Sequence, residues 1–196
     1  MRGNGGPMPW LALLSALACG HTAEPADKGE MAAVSRTCAE YCDSVMSACV
    51  AENAVYTSNA ACLEVCALLQ PGDASEPAGD TVARRAAQAK LAEREPDTYC
   101  AAAGPGGNDS CGSDCEAYCA LYSQVCPEEA DAQGTENCLE QCAGLVDQAG
   151  FDLIADHQGD TIECRLVHLS SATLDPAVHC AHAQLSPTQP WCVVEQ

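Results

Sequence analysis

Three histidines near the C-terminal end of the chain could bind a metal ion. His168 is followed by His179 and His182, and Cys180 lies between the last two. Imidazole nitrogen and thiolate sulfur are ligands that zinc and copper accept in proteins. The spacing His-Cys-x-His therefore makes the three histidines weak candidates for a zinc or copper site, provided that Cys180 is reduced.

The cysteine pattern argues against a reduced Cys180, because the pattern occurs twice along the chain. Seven cysteines of the first half match seven of the second half in order, at offsets of 76 to 81 residues. A cysteine spacing that survives a duplication is typical of a disulfide-bonded domain. The matching pairs are Cys38/Cys115, Cys42/Cys119, Cys49/Cys126, Cys62/Cys138, Cys66/Cys142, Cys100/Cys180 and Cys111/Cys192, and Cys164 falls opposite Arg84.

The duplication also supplies a comparison for the histidines. Their counterparts in the first repeat are Gln88, Tyr99 and Ala102, so the shared scaffold does not require metal ligands at these positions. We therefore predict no metal and no cofactor, with the histidines on the surface or packed locally. Metal binding by the histidines of the second repeat is retained as the alternative function.

Motifs of known catalytic chemistry are absent from the sequence. It has no Cys-x-x-Cys pair, no Gly-x-Ser-x-Gly and no His-Glu-x-x-His. The glycine-rich stretch 104–107 is preceded by no predicted strand and followed by no Gly-Lys-Ser/Thr, so it is not a phosphate-binding loop. We predict that the protein is not an enzyme.

The composition indicates a small exported protein. The 196 residues include one Phe, two Trp and five Tyr, too few large apolar residues for a substantial core in each of two short repeats. Disulfide bonds would supply the missing stability and require an oxidising compartment. The net charge of −20 makes nucleic acid and anionic lipid surfaces poor partners.

The N-terminus has the features of a secretory leader. Residues 1–18 carry one basic side chain, Arg2, followed by an apolar run too short to cross a bilayer. The end of the leader resembles a bacterial lipobox, with Cys19 as the lipidated residue, although Ala16 stands where Leu is usual. Ala16 and Ala18 also satisfy ordinary signal peptidase, so a simple secreted form stays open. Residues 19–34 are predicted to form a flexible tether.

The remaining sequence predicts an all-α fold of two tandem repeats, residues 35–111 and 112–196. Each repeat is expected to form a disulfide-stapled helical hairpin, a third short helix and an irregular tail. Thr37 and Ser113 each precede a glutamate by three residues, which is the pattern of a capping box. The first three cysteines of each repeat stand at i, i+4 and i+11, within roughly 40° of one another on one helix face.

Two helices that each carry Cys-x-x-x-Cys resemble the α-hairpinin family over residues 38–66 and 115–142. In that family nested bridges join the two helices. The resemblance implies four disulfide bonds here: Cys38–Cys66, Cys42–Cys62, Cys115–Cys142 and Cys119–Cys138.

The other cysteines are assigned from the duplication. Cys126 extends beyond the hairpin, toward the helix that carries Cys164, while Cys180 and Cys192 bracket a short loop. The simplest assignment is Cys126–Cys164 and Cys180–Cys192, with Cys100–Cys111 as the counterpart in the first repeat. This assignment leaves Cys49 unpaired.

As a whole, the duplicated pattern resembles the cysteine-rich surface lipoproteins of bacteria. The resemblance implies an exported protein of the outer membrane, or else a periplasmic or secreted one, that contacts the membrane only through its N-terminal lipid. We expect a structural or interaction role, with an envelope or extracellular component of unknown identity as partner.

Overall fold

The computed structural model describes residues 28–73, 79–134, 137–148, 150–187 and 191–193, with side chains from Thr37 onward except that of His157. The predicted leader, the predicted lipidation site Cys19 and residues 19–27 of the predicted tether lie outside the described residues. Within the described ranges no helix is long and apolar enough to cross a membrane.

Every regular element of the described chain is helical, which confirms the all-α prediction. The first repeat contains α1 to α4 and the second α5 to α9, with short 3₁₀ turns at Ala51–Asn53 and Ala155–His157. The helices are α1 Lys28–Ala48, α2 Asn59–Leu68, α3 Val82–Ala92, α4 Pro96–Ala103, α5 Asp114–Val125, α6 Pro127–Gln133, α7 Cys138–Cys142, α8 Ile162–Ala172 and α9 Pro176–Ala183.

Two of the sequence predictions about helices are wrong. Helix α1 begins at Lys28, so residues 28–34 are helical and not part of a tether, and Thr37 lies inside the helix instead of capping it. The tail of each repeat is a helix, α4 or α9, with Pro96 or Pro176 in its first turn. Proline is favoured there because the first turn needs no backbone N–H donor and the ring already has a helical φ. The second repeat has α6 in addition, so α8 and α9 are the third and fourth of the helices that the two repeats share.

Other helix starts agree with the sequence pattern. Ser113 and Glu116 form a complete capping box at the start of α5. Ser58 caps α2, while Thr81 and Thr161 cap α3 and α8 through hydrogen bonds to backbone N–H groups three residues on. These side chains satisfy donors that the first helical turn leaves without a partner.

The two repeats share one apolar core, with α8 at its centre. All residues of α8 from Ile162 to Ala172 are buried, and the helix packs against α9, α5 and α2. A matching tyrosine stands on the first helix of each repeat. Tyr41 donates to the carbonyl oxygen of Ala103, and Tyr118 donates to that of Ala183 at 2.7 Å. Each bond fixes the first helix of a repeat against the end of its last helix.

A buried arginine stabilises each repeat, and the sequence analysis did not single it out. The sequence Gly-Asp-Thr-Val/Ile-x-x-Arg occurs twice and ends at Arg85 and Arg165. Nη2 of each arginine lies 2.6 Å from the Oδ1 of its aspartate, Asp80 or Asp160. Arg165 also donates to the backbone carbonyl oxygens of three residues, namely Thr161, Gln184 and Leu185. The arginine therefore ties the start of the third helix to the loop that follows the fourth.

Seven disulfide bonds are present among the described residues. The four hairpin bonds are those that the α-hairpinin resemblance implies: Cys38–Cys66, Cys42–Cys62, Cys115–Cys142 and Cys119–Cys138. The other three are Cys49–Cys100, Cys126–Cys180 and Cys164–Cys192. Each repeat thus joins the end of its first helix to its fourth helix.

These three bonds correct the assignment from the sequence. Cys126–Cys164, Cys180–Cys192 and Cys100–Cys111 do not form, and Cys49 is bonded. Among the described residues, the cysteine without a disulfide is Cys111, which is buried. The cause is the unexpected fourth helix, which places Cys100 and Cys180 beside the end of the first helix.

The first repeat lacks a partner for Cys111 because Arg84 stands where the second repeat has Cys164. Arg84 is half-buried and its Nη2 donates to the carbonyl oxygen of Ser110 at 2.9 Å. Burial raises the pKa of the Cys111 thiol, so the thiol stays protonated at neutral pH.

We predict that Arg84→Cys creates an eighth disulfide bond with Cys111. In the second repeat the bond between the matching positions joins Cα atoms 5.6 Å apart. Closing a loop of this length should raise the free energy of unfolding by about 3 kcal/mol. Non-reducing peptide mapping and denaturant unfolding test this, with Arg84→Ser as the control that removes the guanidinium without adding a thiol. Two alkylatable thiols in the folded variant would contradict the prediction.

Candidate metal-binding site

The three histidines lie on two adjacent helices of the second repeat. His168 is on α8, and His179 and His182 are one turn apart on α9. Only residues 173–175 separate the two helices, which pack along their length. The bond Cys126–Cys180 ties α9 to the end of α5. The helix pair therefore holds the histidines on facing surfaces.

The structure brings the three imidazole rings into one cluster. Nδ1 of His168 lies 3.1 Å from Nδ1 of His179. The ring centroid of His168 is 4.9 Å from that of His182, and the centroids of His179 and His182 are 6.1 Å apart. One ring nitrogen of each histidine lies within 4.8 Å of the other two. This separation is small enough for a single ion to reach all three side chains after small ring rotations.

The segment that carries Trp191 borders the cluster. The indole centroid lies 5.8 Å from the ring centroid of His168 and 5.8 Å from that of His182. The bond between Cys164 and Cys192 ties this segment to α8, one turn before His168. The second repeat thus covers the histidines with an aromatic side chain that is itself 37% exposed.

The electrostatic environment keeps His182 neutral. Burial and the positive charge that His179 can carry lower the pKa of His182 below its usual value. Nδ1 of His182 is buried and has no hydrogen-bond partner among the described residues. A neutral imidazole is the form that ligates a metal ion.

Cys180 is excluded as a ligand, because it is bonded to Cys126. Cys164 and Cys192 also lie near His168, but they are bonded to each other and offer no thiolate. The cluster therefore presents three imidazoles and no thiolate. Its ligand chemistry suits zinc or copper in a three-histidine site with an open position.

A second group of ionisable side chains lies where the two repeats meet. The sequence analysis did not identify this group. Carboxylate oxygens of Asp114, Asp147 and Glu163 lie within 4.8 Å of one another. Burial raises the pKa of Asp114, and it raises that of Glu163 to about 7. Oδ1 of Asp114 accepts from the N–H of Asn108, and Oε1 of Glu163 accepts from that of Gln148. No spacing signal marks these acids, since aspartate and glutamate are scattered along the whole chain.

An open groove of about 810 Å³ separates the two repeats. Its walls are the end of α2, the start of α3, the loop before α5 and one face of α5. Leucine side chains and carboxylates share the lining, with Leu68 and Leu121 among the former and Asp109 and Glu116 among the latter. The histidine cluster does not line this groove.

Comparison with known proteins identifies one family. The family model described as the BfoA family C-terminal domain matches residues 11–114, just over half of the chain. The matched range covers the first repeat and ends at the first residue of α5, so the histidine cluster lies outside it. No curated protein and no solved structure matches the chain.

Proposed function

This chain belongs to the BfoA C-terminal domain family, and from that premise we propose an exported structural or interaction protein of the bacterial cell envelope. A small, disulfide-rich helical domain fits a structural or interaction role. In the proposal the protein acts by contact with another envelope component and catalyses no reaction. A lipid on Cys19 holds it at the outer membrane.

The observation that carries the proposal is the number and burial of the disulfide bonds. Seven bonds join the helices of the described chain, and most of their cysteines are buried in the shared core. Bonds of this kind form and persist in oxidising compartments, whereas the cytosol keeps thiols reduced. The fold therefore supports export from the cytosol.

The cysteine count supports the lipid anchor. Fourteen of the fifteen cysteines from Cys38 to Cys192 are bonded to one another, and Cys111 is buried. The folded repeats thus form a set of seven bonds without Cys19, and they leave Cys111 buried and without a disulfide. A cysteine directly after an apolar leader and outside that set fits the acceptor of a thioether-linked lipid.

We predict that Cys19→Ser releases the protein from the membrane fraction into the soluble fraction or the medium. The matched control is Cys111→Ser, which removes the other cysteine that forms no described disulfide and leaves the proposed anchor intact. Fractionation followed by immunoblotting measures the distribution of both variants. Membrane retention of Cys19→Ser equal to that of Cys111→Ser would contradict the anchor.

The interaction role is tested on the same cells. Chemical cross-linking of the intact envelope should give discrete larger adducts of the wild-type protein and of Cys111→Ser, while released Cys19→Ser should lose them. Mass spectrometry of the adducts identifies the partner. If the anchored protein forms no adduct with any other component, the interaction role is wrong.

A further inference from the structure

We propose that His168, His179 and His182 form a binding site for one divalent transition metal ion, zinc or copper. The site goes beyond the contact role proposed above, because it gives the second repeat a ligand-binding chemistry of its own. It also lies outside the part of the chain that the family model matches.

The distances between the ring nitrogens carry the first step of the argument. Two imidazoles on one tetrahedral zinc ion, with Zn–N bonds of about 2.0–2.1 Å, place their nitrogens about 3.3 Å apart. Nδ1 of His168 and Nδ1 of His179 are 3.1 Å apart. The two nitrogens share a hydrogen bond, and an ion that displaced its proton would find them close to the separation that it requires.

The third ligand comes from the same helix as the second. His182 is one turn after His179 on α9, and its ring packs edge-on against that of His168 at a centroid distance of 4.9 Å. Its buried Nδ1 has no hydrogen-bond partner within the described part of the chain. Three imidazoles from two packed helices leave one tetrahedral position for water or an external ligand.

The internal duplication argues that the cluster is not needed for folding. The first repeat builds the same helix pair, α3 and α4, with Gln88, Tyr99 and Ala102 at the matching positions. The contact between α3 and α4 is as extensive as that between α8 and α9. Only one of the two equivalent helix pairs carries the three histidines. We therefore attribute the histidines to ligand binding by that pair and not to its folding.

The donor set selects the class of metal. The nearby sulfur atoms are in disulfides and provide no thiolate, which disfavours ions that prefer soft sulfur ligands. Calcium and magnesium prefer oxygen ligands, and the cluster offers nitrogen. Imidazole suits zinc, copper, nickel and iron, and a tetrahedral three-histidine site with one open position favours zinc among them, while copper stands highest in intrinsic affinity.

The test is a metal titration of the full chain in its oxidised form, after removal of metal with a chelator. Zinc chloride and copper chloride are added in separate arms, and bound metal is measured by elemental analysis after gel filtration. We expect one ion per chain. Losing a residue that only orients a metal ligand weakens metal binding by about 10–100-fold. Losing a ligand itself should weaken it more, so we expect His182→Ala and His168→Gln each to weaken metal binding by at least about 100-fold.

Both variants place in the second repeat the residue that the first repeat carries at the same position, which keeps folding intact. The variant His21→Gln is a control, because it removes any copper that His21 binds near the N-terminus. The ion at the histidine cluster should stay in place in this variant. Circular dichroism and peptide mapping check that the fold and all seven disulfides persist in each variant.

Trp191 provides a second readout that depends on position. The chain has two tryptophans, and Trp10 lies in the predicted leader, residues 1–18, so Trp191 is the single emitter once the leader is removed. Copper at the cluster should quench this emission, and His182→Ala should abolish the quenching at equal copper concentration. The proposal is overturned if the oxidised wild-type chain retains neither metal, or if both histidine variants bind metal as tightly as the wild type does.

Discussion

Complete reduction should unfold both repeats together and abolish most of the helical circular dichroism signal. Each disulfide contributes about 2–4 kcal/mol, and a domain has only about 5–15 kcal/mol of net stability, so losing seven bonds exceeds what the core supplies. Apart from α1, the described helices are 5 to 12 residues long, and isolated helices of such lengths are marginal in water. Because the core is shared between the repeats, one repeat cannot lose its packing alone.

Buried disulfides resist reductant in the folded protein, so reduction and alkylation are done in denaturant, which is then removed. The control is a sample carried through the same denaturation without reductant, which should regain its full helical signal. Far-ultraviolet circular dichroism compares the two samples. A reduced and alkylated chain that keeps native helicity would show that the apolar core alone is sufficient.

Arg165→Met should lower the free energy of unfolding by about 3–5 kcal/mol, at about 1–3 kcal/mol for each buried acceptor that loses its hydrogen bond. Asp160 adds little to this loss, because it is 44% exposed and water can replace the guanidinium. The guanidinium is completely buried, and it joins Asp160 to the carbonyl oxygens of Thr161, Gln184 and Leu185. Methionine fills much of the same volume but donates no hydrogen bonds. The substitution leaves three backbone acceptors and one carboxylate without their donor.

The matched control for this variant is Arg84→Met, which removes an equal charge from a half-buried side chain with a bond to one carbonyl oxygen. That bond contributes about 1 kcal/mol. Urea unfolding of the disulfide-intact proteins measures both changes. Equal destabilisation by the two substitutions would show that the buried guanidinium of Arg165 contributes no more than the half-buried guanidinium of Arg84 does.

Local periodicity explains which parts of the fold were predictable. The hairpin bonds, such as Cys38–Cys66, were implied by the α-hairpinin resemblance, which rests on cysteines one helical turn apart within each helix. The helix starts at Ser58 and Ser113 depend on a side chain within three residues of the N–H that it caps. The caps are decided by near neighbours along the chain, so the sequence shows them directly, whereas the hairpin bonds join residues 19 to 28 positions apart and needed the family resemblance.

The partners of Cys49 and Cys126 depend on residues more than fifty positions away. Their bonds to Cys100 and Cys180 exist because Pro96 and Pro176 start a fourth helix that packs beside the end of the first. Proline in a first helical turn was the available signal, and the tail was nevertheless predicted to be irregular. The wrong prediction of an irregular tail therefore led to wrong partners for three disulfide bonds.

For the histidine cluster too, the sequence determined one part and the tertiary structure determined the other. Residue types and spacing alone singled out His168, His179 and His182 as the candidates for metal binding. Only the packing of α8 against α9 decides that the three rings meet, while Cys180, between the last two histidines, points to Cys126 instead. Successive residues of a helix are about 100° apart, so adjacent side chains face different neighbours, and the tertiary structure determines which neighbours those are.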